Sequence, residues 1–128
     1  MTDAHDLAPT PPNGPRRIIV VEDEMIIAML LEDMLADLGH TVVGVASRLD
    51  SALVLARTAE ADMAILDVNL SGEASFPVAQ VLSDRGLPFM FATGYGALGI
   101  EAPFQDTLTL KKPFELADLE RALDRLSA

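Results

Sequence analysis

A doubly wound α/β fold, with a five-stranded parallel sheet and helices on both faces, is predicted from three observations. Short, near-continuous apolar runs rich in β-branched residues alternate with longer segments of helical period. Runs that are apolar on both faces belong to parallel strands covered on both sides. Polar and charged residues gather just after those runs, where ligand chemistry sits in open parallel sheets.

The elements follow in order. RRIIVV, Arg16 to Val21, reads as a buried strand. Met25 to Leu38 reads as a helix with Ile27, Leu31, Met34 and Leu38 on its inner face, and Gly39 fits the position just past its end. TVVGVA, Thr41 to Ala46, is the second strand. Asp50 to Thr58 is the second helix, with Leu53 and Ala56 inward. MAIL, Met63 to Leu66, is the third strand. Ser75 is placed to cap a third helix, with Pro77 in its first turn and Gly86 after its end. Pro88 to Ala92 and Thr107 to Leu110 are the fourth and fifth strands. Glu115 to Leu126 closes the chain as a helix with Leu116, Leu119, Leu123 and Leu126 inward. Between Gly96 and Thr107, the stretch Ala97 to Asp106 has room for only a few turns before Pro103 interrupts, so a fourth helix there is expected to be short or disordered.

Composition bounds the function. The 128 residues are one domain's worth. Residues 1–15, rich in proline and polar residues, are expected to form a disordered leader, and residues 16–128 the domain. The leader lacks the basic start and apolar middle of a signal peptide, and no apolar run reaches the roughly 18 residues of a membrane span. A cytoplasmic monomer is expected. The absence of cysteine excludes disulfides and cysteine-based zinc sites. A net charge of -11, from 20 acids against 9 bases, would be repelled by nucleic acid phosphate, so no direct nucleic acid contact is expected.

The strand ends carry the chemistry. Glu22-Asp23-Glu24 follows the first strand, Asp67 the third, Thr93 the fourth and Lys111-Lys112-Pro113 the fifth. Taken singly, these residues read as a helix cap, turn residues and a solvated lysine. Taken together, at strand ends that share one edge of the sheet, they point to one pocket. Converging carboxylates repel one another and tolerate closeness when a cation lies between them. Carboxylate oxygens without histidine or cysteine suit Mg2+.

VVEDE, ILDVNL, FATGYG and LKKPF, in this order, resemble the four signatures of a response-regulator receiver domain, and the resemblance covers Arg16 to Ala128. It implies a flavodoxin-like, CheY-like fold. It also implies that Asp67 accepts a phosphoryl group from a histidine kinase, with Mg2+ held by Glu22, Asp23, Asp67 and the backbone carbonyl of Asn69. Lys112 and Thr93 would then contact the phosphoryl oxygens. Pro113 would follow a cis peptide bond, and Lys111 would face solvent. FATGYG also resembles the FAT GUY subgroup of stand-alone alphaproteobacterial receivers. That subgroup implies an HWE-type kinase, a role in the general stress response and an unidentified downstream protein. Such a protein is a phosphoacceptor rather than an enzyme, and with no output domain in view it reads as stand-alone.

Gly94, Tyr95 and Gly96 form the expected switch region, because glycine lets backbone follow Thr93 when phosphate arrives. Most receivers place an aromatic residue three positions before the lysine. Here that position is Thr109, so the signal is expected to leave through a change of order over residues 94–104. Met25, Ile26 and Met29 either widen the core stripe of the first helix or form a docking surface for the kinase.

Other classes fit less well. A haloacid-dehalogenase-type phosphatase needs a second carboxylate where Asn69 stands. An FMN-binding flavodoxin needs a glycine- and hydroxyl-rich loop where VEDEM stands. A pseudo-receiver that only binds partners, or a phosphate sink for a kinase, remains the alternative reading.

Overall fold

In the computed structural model, residues 14–94 and 99–127 are described. The sheet contains β1 (Arg17–Val21), β2 (Thr41–Ala46), β3 (Met63–Asp67), β6 (Phe89–Thr93) and β7 (Thr109–Lys111). Its order is β2-β1-β3-β6-β7, and every pairing is parallel. The helices are α1 (Met25–Asp37), α2 (Leu49–Thr58), α3 (Phe76–Asp84) and α4 (Leu116–Ser127). A short hairpin of β4 (Asn69–Leu70) and β5 (Glu73–Ala74) lies between β3 and α3.

The continuous apolar runs are explained by two cores. Side chains alternate across a strand. Ile19 and Val21 enter one core beside Ala52, Ala56, Val78 and Leu82 from α2 and α3. Ile18 and Val20 enter the other beside Leu31, Leu35, Leu119 and Leu123 from α1 and α4. β3 and β6 divide in the same way: Leu66 and Phe91 face the first core, Ile65 and Met90 the second.

Several expectations shift. The buried residues of α1 are Ala28, Leu31 and Leu35, while Ile27, Met34 and Leu38 pack only partly against the second core. Leu116 is 39% exposed rather than inward, because it opens α4 before the leucine stripe reaches the sheet. Ser75 precedes α3 but makes no capping bond through its side chain. Its ψ of 7° departs from the extended backbone of a side-chain cap, and its buried hydroxyl has no hydrogen-bond partner. Its carbonyl instead accepts from the amides of Val78 and Ala79. Among the described residues between β6 and β7 there are turns and no helix. Ile100 and Phe104 from this connection are each 8% exposed and join the first core, where Phe104 lies 6.0 Å from the rings of Phe76 and Phe89.

α1 ends in a Schellman motif. The amide of His40 donates to the Leu35 carbonyl at 2.8 Å and that of Gly39 to the Ala36 carbonyl at 3.0 Å, with Gly39 at φ 90°. Gly39→Ala forces a Cβ into that left-handed conformation. It is expected to destabilise the domain by about 1 kcal/mol, read as a lower urea midpoint at unchanged slope.

Candidate functional site

The carboxyl ends of β1, β3, β6 and β7 form one side of an open cleft lined by Asp23, Asp67, Asn69, Thr93, Gly94 and Lys112. The parallel order brings these ends together. β1 and β3 are neighbours whose following chains leave for α1 and the β4–β5 hairpin, so a crevice opens beyond them.

Glu22 follows β1 directly and is 2% exposed. A carboxylate there requires partners. Its Oε1 accepts from Lys112 Nζ at 2.6 Å, and its Oε2 from the amide of Glu24 at 3.2 Å. Lys112 Nζ also donates to Asp67 Oδ2 at 3.2 Å. One ammonium therefore bridges carboxylates from two strand ends. Asp67 Oδ1 accepts from the Asn69 amide at 3.2 Å. Asp23 Oδ2 accepts from the amide of Ser71 at 2.9 Å and from its hydroxyl at 3.2 Å. Lys112 reaches the cleft because β7 pairs with β6, and its amide donates to the Thr93 carbonyl at 2.8 Å. Thr93 itself is buried at the end of β6.

The electrostatics follow from burial and proximity. Burial pushes the Glu22 carboxyl up to about 7, with a contribution from hydrogen bonding to Asp67, and Lys112 offsets this only in part. Burial also disfavours the Lys112 ammonium, but Glu22 and Asp67 outweigh it and raise Lys112 above its ordinary value. Lys112 thus stays charged, and Glu22 is held above the usual carboxylate range despite their short contact. Burial acts against the Asp23 carboxylate as well. The bonds from Ser71 outweigh that, and Asp23 lies below the usual range.

The cluster fits a hard divalent cation. Glu22, Asp23 and Asp67 each offer a carboxylate oxygen, all within 4.8 Å of one another. Three carboxylates face a single ammonium, which leaves negative charge uncompensated. An all-oxygen set of this kind matches Mg2+.

The other candidate residues fall in distinct places. The Lys112–Pro113 peptide is cis, as is Ala102–Pro103, and Lys111 is exposed. Thr109 is half-buried on β7, and its hydroxyl donates to the Thr107 carbonyl at 3.1 Å. Gly94 lines the cleft, whereas Tyr95 and Gly96 lie outside the described residues. Met25, Ile26 and Met29 are 67%, 82% and 57% exposed, so they do not widen the core stripe. Ile27, Leu30, Lys112, Pro113 and Phe114 line an apolar groove. Sequence reasoning missed the β4–β5 hairpin, although the dipeptide Ser71-Gly72 is a turn signal that could have disclosed it. Among the described residues, no helix is long and apolar enough to cross a membrane.

The chain is similar to known proteins. The family model of the response regulator receiver domain matches residues 18–124. The transcriptional regulatory protein PdtaR of Mycobacterium tuberculosis is 31% identical over 86% of this chain and 56% of its own. The phyllosphere-induced regulator PhyR of Methylorubrum extorquens is 29% identical over 84% of this chain and 42% of its own. The chain therefore spans about half the length of these curated relatives. The solution structure of SdrG from Sphingomonas melonis superposes with a TM-score of 0.79 at 43% identity, covering 88% of this chain and 96% of that one. The PhyR response regulator of Brucella abortus superposes at 0.74 with 33% identity, covering 88% of this chain and 47% of that one.

Proposed function

The chain belongs to the response regulator receiver family, and from that premise we propose that it accepts a phosphoryl group from a histidine kinase on Asp67, with Mg2+ as cofactor. The observation that carries this reading is the Lys112 ammonium bridging Glu22 and Asp67, with Asp23 beside them, at adjoining strand ends.

The transfer asks for positioning and for charge opposite the phosphoryl oxygens. Asp67 is held through both oxygens, by the Asn69 amide and by Lys112, so its carboxylate is oriented before the phosphohistidine arrives. An Asp67 oxygen attacks phosphorus, a P–O bond forms, and the P–N bond breaks with its electron pair returning to the imidazole ring. Lys112 then pairs with a phosphoryl oxygen, and Thr93 donates its hydroxyl to another. Asp23, Asp67, Glu22 and the Asn69 carbonyl would hold Mg2+, which would supply positive charge opposite the phosphoryl oxygens.

The resemblance of the FATGYG stretch to the FAT GUY subgroup supports an HWE-type kinase as donor and a protein as downstream partner. A role in the general stress response is supported by the likeness to PhyR, described in one solved structure as a stress response regulator. The signal leaves through a change of order in residues 94–104. Ile100 and Phe104 of that segment are buried in the first core, and residues 95–98 lie outside the described residues. The exposed Met25, Ile26 and Met29 dock the kinase.

Beryllofluoride, which mimics an aspartyl phosphate, tests the reading. With Mg2+ it is expected to shift the amide resonances of Asp67, Thr93, Gly94 and Lys112. A spectrum identical with and without it would exclude a working phosphoacceptor.

A further inference from the structure

We propose that Ser71 is a positioning residue for the metal site, holding one oxygen of Asp23 so that the carboxylate is oriented before Mg2+ binds. The inference rests on the proposed Mg2+ site. Two observations point to it.

The first is backbone conformation. Ser71 has φ 53° and is the one non-glycine residue with positive φ among the described residues. Gly72 follows at φ 93°, so both central residues of the β4–β5 turn are left-handed, as in a type I′ hairpin. Glycine, asparagine and aspartate are the usual choices there. A serine in this conformation is strained, because its Cβ crowds the following carbonyl oxygen, and strain of that kind persists where surrounding contacts hold it.

The second is what holds it. The amide and hydroxyl of Ser71 converge on the same oxygen of Asp23, a residue 48 positions away, at 2.9 and 3.2 Å. Two donors on one oxygen restrict rotation of that carboxylate. The hairpin is fixed on its other side too: the Gly72 amide donates to Asn69 Oδ1 at 2.7 Å, and the Asn69 amide donates to Asp67 Oδ1 at 3.2 Å. The hairpin therefore connects the carboxylates that follow β1 and end β3. Residues that bond metal-ligating carboxylates typically change metal affinity 10–100-fold when removed.

The test is a double-mutant cycle read by Mg2+ titration under NMR, with urea unfolding in EDTA as the structural control. Ser71→Ala deletes the hydroxyl and keeps the amide and the left-handed backbone. Ser71→Gly deletes the hydroxyl and relieves the strain. Both are expected to weaken Mg2+ binding by about tenfold, while Ser71→Gly unfolds at equal or higher urea than wild type. In an Asp23→Asn background, neither change is expected to matter further. If only the turn counted, Ser71→Gly would bind Mg2+ at least as tightly as wild type, and the proposal would be overturned. An equal loss in the Asp23→Asn background would also overturn it, because the hydroxyl would then act elsewhere. Wild-type protein that binds no Mg2+ overturns the metal site and this inference together. Tight binding by wild type and both serine variants overturns the inference alone.

Discussion

Asp67→Asn is expected to carry no acid-labile phosphate after incubation with a phosphorylated histidine kinase and Mg2+, under conditions that label the wild-type protein fully. The amide oxygen is a poor nucleophile, and an acyl phosphate cannot form on it. The change is nearly isosteric. Asp67 is only partly buried, and Lys112 retains its 2.6 Å contact with Glu22, so the fold should survive. Glu22 and Asp23 lie close enough to be rival acceptors. Glu22, however, is buried and committed to Lys112, and Asp23 is held by Ser71. Labelling of the Asp67→Asn protein at wild-type extent would therefore move the acceptor to one of those neighbours and undo the assignment.

Lys112→Met is expected to destabilise the metal-free domain by about 3 kcal/mol at pH 8, a large share of a typical domain's stability. The side chains of Lys112, Glu22 and Asp67 are 14%, 1% and 12% exposed, so little water replaces the lost ammonium. The sign of the pH dependence follows from Glu22. Its carboxyl titrates at about 7 in the folded protein against an ordinary value of 4.5. Between these values the native state holds a proton that the unfolded chain has released. The contribution of Glu22 to stability therefore falls as pH rises from 4.5 through about 7, and is level above that. Removing Lys112 takes away the cation facing Glu22 and extends the fall to higher pH. The variant should lie closer to wild type at pH 5.5 than at pH 8 in urea unfolding without Mg2+. Equal midpoints for both proteins at pH 8 would show that the bridge contributes nothing to the fold. The same variant should lose the beryllofluoride response at Thr93, since the phosphoryl mimic loses its ammonium partner.

Much of this was legible in the sequence because it is local. RRIIVV and MAIL read as strands covered on both faces, since neighbouring side chains enter opposite cores. That Glu22, Asp67, Thr93 and Lys112 lie at strand ends was legible as well, and one rule singled them out, that ligand chemistry lies at the carboxyl ends of parallel strands. Periodicity and strand ends are properties of a few consecutive residues, so no partner needs to be known. That no regular helix forms among the described residues between β6 and β7 accords with the short stretch around Pro103.

Burial and hydrogen bonding across the chain were decided by the tertiary structure. Leu116 shares the helical stripe of Leu119 and Leu123, yet it is exposed because α4 begins before the sheet covers it. Ser75 occupies a capping position, but a backbone shaped by the preceding hairpin keeps its hydroxyl from capping. Met25, Ile26 and Met29 are apolar like their buried neighbours, and only the direction in which α1 turns toward β1 puts them in water. Ser71 meets Asp23 across 48 residues, and Lys112 meets Glu22 across 90. Residue types and spacing could nominate those partners. Only the order of the strands and the path of the hairpin bring them within hydrogen-bond reach, because distance in space is set by packing and not by separation along the chain.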